Sequence, residues 1–269
     1  MISFVGAGPG AADLITLRGA RRLAEAEVVV WASSLVPEEL LVHARPGAEV
    51  LDSAGMTLED TLAVYQANPG RRIVRLHSGD PSLYGALAEQ MAWCLSAGRS
   101  FEVVPGVSSL AAAAAAARVE LTVPGLSQSV VLTRLPGRTA ASVPERESVA
   151  AFAAIGSTMA LFLSAGRPAE LQSCLLGPDS AFDPSTPAVI VHRASWPEEE
   201  VTRTTVGQLA ATLAQAGART TVLVLVGPAL SGGPGRSQLY SPGFAHSFRR
   251  RSRPGSTRGR PAGPRGAGR

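Results

Sequence analysis

The stretch His77-Ser78-Gly79-Asp80-Pro81-Ser82-Leu83-Tyr84-Gly85 decides how the chain is organised. It follows Ile73-Val74-Arg75-Leu76, a short apolar run that reads as a strand. Gly79 allows a sharp turn, because a residue without Cβ enters the φ > 0 region freely. Asp80 puts a carboxylate in that turn, and Pro81 fixes φ in the helical range. From Leu83 to Leu95 the apolar residues recur at helical spacing, which predicts a helix there. An acid between the C-terminal end of a strand and the start of a helix has two readings. Asp80 can cap the helix, as Asp does before Pro at the first helical position. It can also face a ligand, because open α/β sheets hold ligands at the carboxyl ends of their strands.

Working outward, strands and helices alternate on both sides of this turn. Ile2-Ser3-Phe4-Val5, Val28-Val29-Val30-Trp31, Ala48-Glu49-Val50-Leu51 and Phe101-Glu102-Val103-Val104 join the Ile73 run as strands. Thr16 and Thr57 can cap helices, Pro37 starts a short one, and Ser108 or Ser109 caps an alanine-rich one. This predicts a doubly wound α/β unit over residues 1–121. A linker follows near Thr122-Val123-Pro124-Gly125. A second α/β unit, residues 122–230, has strand patterns at Ser129–Thr133, Thr158–Leu163, Ala188–His192, Val201–Val206 and Thr220–Val226. Its helices lie near Glu145–Ala153, Pro168–Leu175 and Gly207–Ala216. The segment Glu198–Thr205 separates two strand patterns without a helix, which predicts a hairpin and a mixed sheet. Residues 231–269 are Gly, Pro, Ser and Arg with few apolar groups, and are expected to be disordered.

Composition narrows the class of protein. Of 269 residues, 45% are hydrophobic, enough for a packed core. The longest apolar run, Ala111 to Ala117, is too short and too weakly hydrophobic to cross a membrane. The N-terminus has no basic segment before an apolar one, so no secretory signal is read there and the cytoplasm is the expected compartment. Cys94 and Cys174 stand far apart in helical contexts and read as reduced thiols, with no metal site expected. The net charge of +4 comes from the tail: residues 231–269 carry nine arginines and no acids. Residues 1–230 hold 16 arginines against 21 acids, a net of −5. A nucleic-acid partner is not expected for the folded part.

Gly6-Ala7-Gly8-Pro9-Gly10-Ala11 matches the dinucleotide fingerprint G-x-G-x-x-[GA]. That use requires an acid at the end of the second strand for the ribose hydroxyls. The second strand ends in Trp31-Ala32-Ser33-Ser34, without a carboxylate, and Pro9 removes a backbone N–H from the turn. A nicotinamide oxidoreductase is therefore disfavoured.

The motifs in order resemble the tetrapyrrole methylase family. They are Val5-Gly6-Ala7-Gly8-Pro9-Gly10, Asp13-Leu14-Ile15-Thr16-Leu17-Arg18-Gly19, Gly79-Asp80-Pro81, Val104-Pro105-Gly106-Val107-Ser108-Ser109, Ala160-Leu161-Phe162-Leu163 and Val222-Leu223-Val224-Leu225-Val226-Gly227. Three further stretches are similar to the precorrin-4 C11-methyltransferase branch of cobalamin biosynthesis: Trp31–Pro37, Asp52–Asp60 and His192–Pro197. Trp31 departs from the Tyr expected there, and the arginine-rich tail has no counterpart in the pattern.

The resemblance implies a two-domain tetrapyrrole methylase-like fold with a cleft between the domains. It implies a homodimer, with S-adenosylmethionine as methyl donor and a tetrapyrrole as substrate. Carried over, Pro9, Ser78, Gly79, Asp80, Leu83, Ser108, Ser109, Phe162, Leu163 and Ala194 line the donor site. Ser108 and Ser109 offer N–H groups at a helix N-terminus, suited to the donor's carboxylate. Methyl transfer from a sulfonium needs no protein nucleophile, so no catalytic residue is assigned; His77 is the candidate for a general base or for a structural hydrogen bond. The substrate's carboxylates call for arginines at the cleft, with Arg75, Arg134, Arg138, Arg167 and Arg193 as candidates. Other family members, such as a uroporphyrinogen-III methyltransferase, and a non-catalytic binding module remain as alternatives.

Overall fold

The computed structural model describes residues 1–136, 143–233 and 237–256. Five strands, β1 (Ile2–Gly6), β2 (Val28–Trp31), β3 (Glu49–Asp52), β4 (Ile73–His77) and β5 (Phe101–Val104), form one sheet. Every pairing in it is parallel, in the order β3-β2-β4-β1-β5. Parallel strands covered on both faces need apolar residues throughout, and the runs supply them. Val5, Val29, Val74 and Leu76 pack on one face against Leu23 and Leu40. Those two belong to helix α1 (Leu17–Glu25) and to a 3-10 helix, Glu38–His43. Phe4, Val28, Val30 and Ile73 pack on the other face against Tyr65 and Cys94, from α2 (Leu58–Ala67) and α3 (Ala88–Ser96). The caps form as expected: Thr16 Oγ1 accepts from Gly19 N, and Thr57 forms a capping box with Asp60.

The order of strands matters for function. From β1 the chain runs outward to β2 and β3, then returns to insert β4 between β2 and β1. The segments after β1 and β4 therefore leave to opposite faces of the sheet. The carboxyl ends of these two neighbours mark the topological position at which such sheets bind ligands.

The second sheet is mixed, as the hairpin signal predicts. Strands β6 (Val130–Arg134), β7 (Thr158–Phe162), β8 (Pro187–His192), β9 (Glu200–Thr205) and β10 (Val222–Val226) lie in the order β6-β7-β10-β8-β9. Only β6 and β7 pair in parallel. Because β10 runs against both of its neighbours, β7 and β8 end on the same side, and Phe162 and His192 point their loops one way. One face, with Met159, Leu161, Ile190 and Val224, is covered by α5 (Val149–Ala153), α6 (Pro168–Leu175) and α7 (Leu209–Ala216). The opposite face, with Ala160, Val189, Val191, Leu223 and Leu225, is covered by α4 (Ser109–Ala117), the alanine-rich helix. By sequence α4 follows β5, but by packing it belongs to the second sheet. The boundary at 121/122 read from the sequence thus divides the strands, while the core of the second sheet reaches back across it.

One expectation is corrected. The helix predicted from Leu83 begins only at Ala88, with Leu87 at its N-cap position. Tyr84 and Ala86 adopt φ of 56° and 46°, a left-handed backbone that interrupts a helix. Asp80 therefore does not cap α3. In the tail, Gln238–Tyr240 forms a 3-10 turn and His246 pairs with Arg249. No helix among the described residues is long and apolar enough to cross a membrane.

Candidate functional site

The loops that leave β1, β4 and β5 are joined backbone to backbone. Gly8 N donates to Gly79 O at 3.2 Å, Gly79 N donates to Gly8 O at 2.7 Å, and Ala7 N donates to His77 O at 2.8 Å. Gly6 and Gly106 meet without side chains between them. A Cβ on Gly106 would lie 2.1 Å from Gly79 O and 2.7 Å from Gly6 Cα. A Cβ on Gly6 would lie 2.5 Å from Gly106 Cα. Three glycines, one at the end of each strand, let three loops approach more closely than any other residue permits.

Asp80 ties this junction together. Its Oδ2 accepts from Gly106 N at 2.9 Å, and its Oδ1 accepts from Ser82 N at 2.8 Å. The first bond links the β4 loop to the β5 loop; the second closes an Asx turn over Pro81. Beyond Gly106 the chain enters α4, whose N-cap Ser108 accepts from Leu110 N at 3.2 Å. Gly79, with φ of 65°, faces that helix start: its missing Cβ would lie 3.5 Å from Ser109 N. The loop thus leaves a Cβ-sized cradle against a helix N-terminus, where N–H groups and the helix dipole favour an anion. Pro9, Ser78, Gly79, Asp80, Ser108 and Ser109, all predicted from the sequence, are brought to this one edge of the first sheet.

The second half reaches the same edge with side chains. Trp196 Nε1 donates to Pro9 O at 2.9 Å, and Ala11 N donates to Ser195 Oγ at 3.0 Å. The Trp196 ring fills the space beside Gly10, where a Cβ would lie 2.2 Å from Cδ1. Glu199 Oε2 accepts from Ser195 N at 2.6 Å and steadies this loop. Phe162 and Ala194 share the apolar cluster beneath α4. Leu163 is 73% exposed with φ of 51°, and Leu83 is 37% exposed. The Tyr84 and Phe162 rings meet across the two halves at 5.1 Å. Of the seven non-glycine residues with positive φ among the described residues, five lie in these loops: Tyr84, Ala86, Leu163, Arg193 and Ser195. Such conformations collect where surrounding structure holds them for a function. Periodicity gave no sign of Tyr84; the Trp196 contact was hidden within a motif quoted for other reasons.

His77 lies under the junction, facing inward. It is 6% exposed, its ring 6.0 Å from that of Phe4. Burial, aided by the charge of Arg75, pushes its pKa down to about 4, so it is neutral at pH 7. Arg75 is turned inward too: its Nη1 donates to Ser53 Oγ at 2.6 Å. Arg167 pairs with Glu170 at 2.7 Å, and Arg193 pairs with Glu198 at 3.2 Å while lying 5.5 Å over the Trp196 ring. Arg134 ends β6 near the Tyr84 hydroxyl, whose pKa reflects its charge. Arg138 lies outside the described residues.

Neither of two cavities contains Asp80, and only one of them borders the site. One of about 440 Å³ borders Gly10, Pro37, Arg193 and Trp196. The other, of about 1010 Å³, lies apart between Arg118, Arg203 and Tyr240, and shares no residue with the junction.

Comparison with known proteins fits this arrangement. The family model described as Tetrapyrrole (Corrin/Porphyrin) Methylases matches residues 1–210. The cobalt-precorrin-4 C(11)-methyltransferase of Priestia megaterium is 42% identical over 252 residues, covering 91% of this chain and 96% of that protein. The X-ray structure of the cobalt precorrin-4 methyltransferase CbiF superposes with a TM-score of 0.81 at 43% identity, over 85% of this chain and 95% of that one. Uroporphyrin-III C-methyltransferase from Thermus thermophilus, solved with S-adenosylhomocysteine, superposes with a TM-score of 0.72 at 28% identity, over 86% and 98% of the two chains.

Proposed function

Because the chain belongs to the tetrapyrrole methylase family, we propose that it transfers a methyl group from S-adenosylmethionine to C11 of precorrin-4 or its cobalt form. The observation that carries this reading is the glycine junction facing the N-terminus of α4. Its crevice has the open backbone, the helix N–H groups and the adjoining apolar side chains that a zwitterionic sulfonium donor requires. When bound, S-adenosylmethionine supplies a methyl group already activated by positive sulfur.

The chain's own residues then bind, orient and exclude water. Ser109 and its neighbouring N–H groups hold a carboxylate; Gly79 leaves the room for it. Asp80 fixes the β4 loop against Gly106, so the cradle is formed before the donor arrives. Such alignment is worth up to about 7–11 kcal/mol of the barrier when it is complete. Pro9, Leu83, Phe162, Leu163 and Ala194 furnish apolar walls from both halves, and a dry cleft favours the loss of charge from sulfur. His77, buried with a pKa of about 4, is better suited to supporting the loop than to taking the substrate's proton. The enzyme works as a homodimer in this reading.

Incubation with labelled S-adenosylmethionine and early corrinoid precursors tests it, with mass spectrometry locating the new methyl. Label on C11 is the expected result; label on another carbon overturns the assignment. A uroporphyrinogen-III methyltransferase activity is the second reading, resting on the 28% identical neighbour.

A further inference from the structure

We infer that Tyr84 is a substrate-positioning residue: its ring, paired with Phe162 across the cleft, is the surface on which the apolar face of the tetrapyrrole lies. This rests on the function proposed above and assigns the acceptor side of the same site.

Three observations converge on Tyr84. An aromatic residue at φ of 56° is strained, because its Cβ crowds its own backbone. The segment that carries Tyr84 begins at Asp80, whose two hydrogen bonds hold the β4 loop in place. The result of the strain is outward display: Tyr84 is 48% exposed. A buried ring would repay such a conformation with packing; this one turns much of its surface to solvent.

The ring is nevertheless not isolated. It stands 5.1 Å from Phe162 at an interplanar angle of 47°, one ring from each half of the molecule. Leu83 beside it and Leu163 beside Phe162 are also exposed, and Leu163 repeats the left-handed backbone at φ of 51°. Two loops with left-handed residues, one from each sheet, thus bring two aromatic rings together, each beside an exposed leucine in sequence. An apolar surface framed by polar groups marks a binding site. Partial burial raises the pKa of the Tyr84 hydroxyl, on which Arg134 at the end of β6 and Glu147 act in opposite directions.

A partly conjugated macrocycle with an apolar face matches this layout. Its face rests on aromatic and aliphatic groups. The methyl donor does not match it as well, because the polar groups suited to its carboxylate lie at Gly79 and Ser109.

Uroporphyrin III, a macrocycle with eight carboxylates, serves as the binding probe, followed by fluorescence quenching. Tyr84→Ala is expected to weaken its binding tenfold or more and to raise KM for precorrin-4 by a similar factor. The calorimetric affinity for S-adenosylhomocysteine is expected to stay within twofold. Tyr84→Phe, which keeps the ring, is expected to restore both values to within twofold of wild type. Tyr84→Leu is the second variant should Tyr84→Ala fail to fold, with the same loss of macrocycle affinity expected. Unchanged macrocycle binding in these variants overturns the inference, as does an equal loss of S-adenosylhomocysteine affinity. A change of oligomeric state with macrocycle affinity intact overturns it too, and makes Tyr84 an interface residue. Should wild type methylate no corrinoid precursor while uroporphyrin binding still depends on Tyr84, the reaction assignment fails and the ring surface stands.

Discussion

The two halves of the molecule build the cleft from different materials. The first half contributes backbone: Gly6, Gly79 and Gly106 in direct contact, with one carboxylate bridging two loops. The second contributes side chains, with Trp196 and Ser195 reaching across to Pro9 and Ala11, and Leu163 held out on a left-handed residue. Backbone junctions between glycines have no rotamers and little room to yield. Side chains on loops can be exchanged without altering the frame. The difference separates a fixed backbone frame from a side-chain surface that can vary, so substitutions should affect the two sides in unlike ways.

Gly106→Ala should have the largest effect. Its Cβ would lie 2.1 Å from Gly79 O, so the three loops must separate. Overpacking of this kind costs about 3 kcal/mol. The midpoint of thermal unfolding should fall by roughly 6–12 °C for a chain of this size. A midpoint within about 2 °C of wild type would break the idea of a rigid junction.

The next largest effect is of pH on the frame beneath the junction. The pKa of His77 is lowered to about 4 in the folded chain, from the usual 6.5, chiefly by burial. Unfolded chains therefore bind the proton more readily, and stability is fully present above pH 6.5 and is lost as pH falls towards 4. Linkage sets the loss at about 2 kcal/mol by pH 5. Urea denaturation at pH 7 and pH 5 measures it, and His77→Gln should flatten the difference.

Asp80→Ala removes the bridge to Gly106 and should weaken S-adenosylhomocysteine binding at least tenfold by calorimetry, about 1.4 kcal/mol. Equal affinity would show that the glycines alone hold the cradle. Trp196→Phe should have the smallest effect. It keeps the ring beside Gly10 but deletes the Nε1–H donor to Pro9 O, which is worth about 1 kcal/mol. A modest loss of stability with donor affinity within threefold would confirm that the second half adjusts where the first does not.

Much of this frame was legible in the sequence. All ten strands fall within about two residues of the expected runs, because buried strands are written as local apolar runs between Gly and Pro. The cap residues Thr16, Thr57 and Ser108 were legible for the same reason. Local signals failed in the segment after Asp80. Leu83, Leu87 and Met91 keep a helical spacing, but Tyr84 and Ala86 take a left-handed backbone that neither residue type announces. The segment starts from Asp80, which is bonded to a loop 26 residues away. The meeting of Gly6, Gly79 and Gly106 was likewise beyond local reading, since each glycine alone reads as a turn. The motifs marked the positions, and the strand order explains why they converge.

The alanine helix α4 has a consequence for anyone dividing this protein. Its start is fixed to the loops of the first sheet, while Ala112, Ala113 and Ala117 cover the second. A scissile point at 121/122 would carry the helix away with the wrong fragment and strip one side of the other. Complementation assays, circular permutation or domain exchange should instead cut ahead of Pro105, so that the helix travels with the sheet it covers.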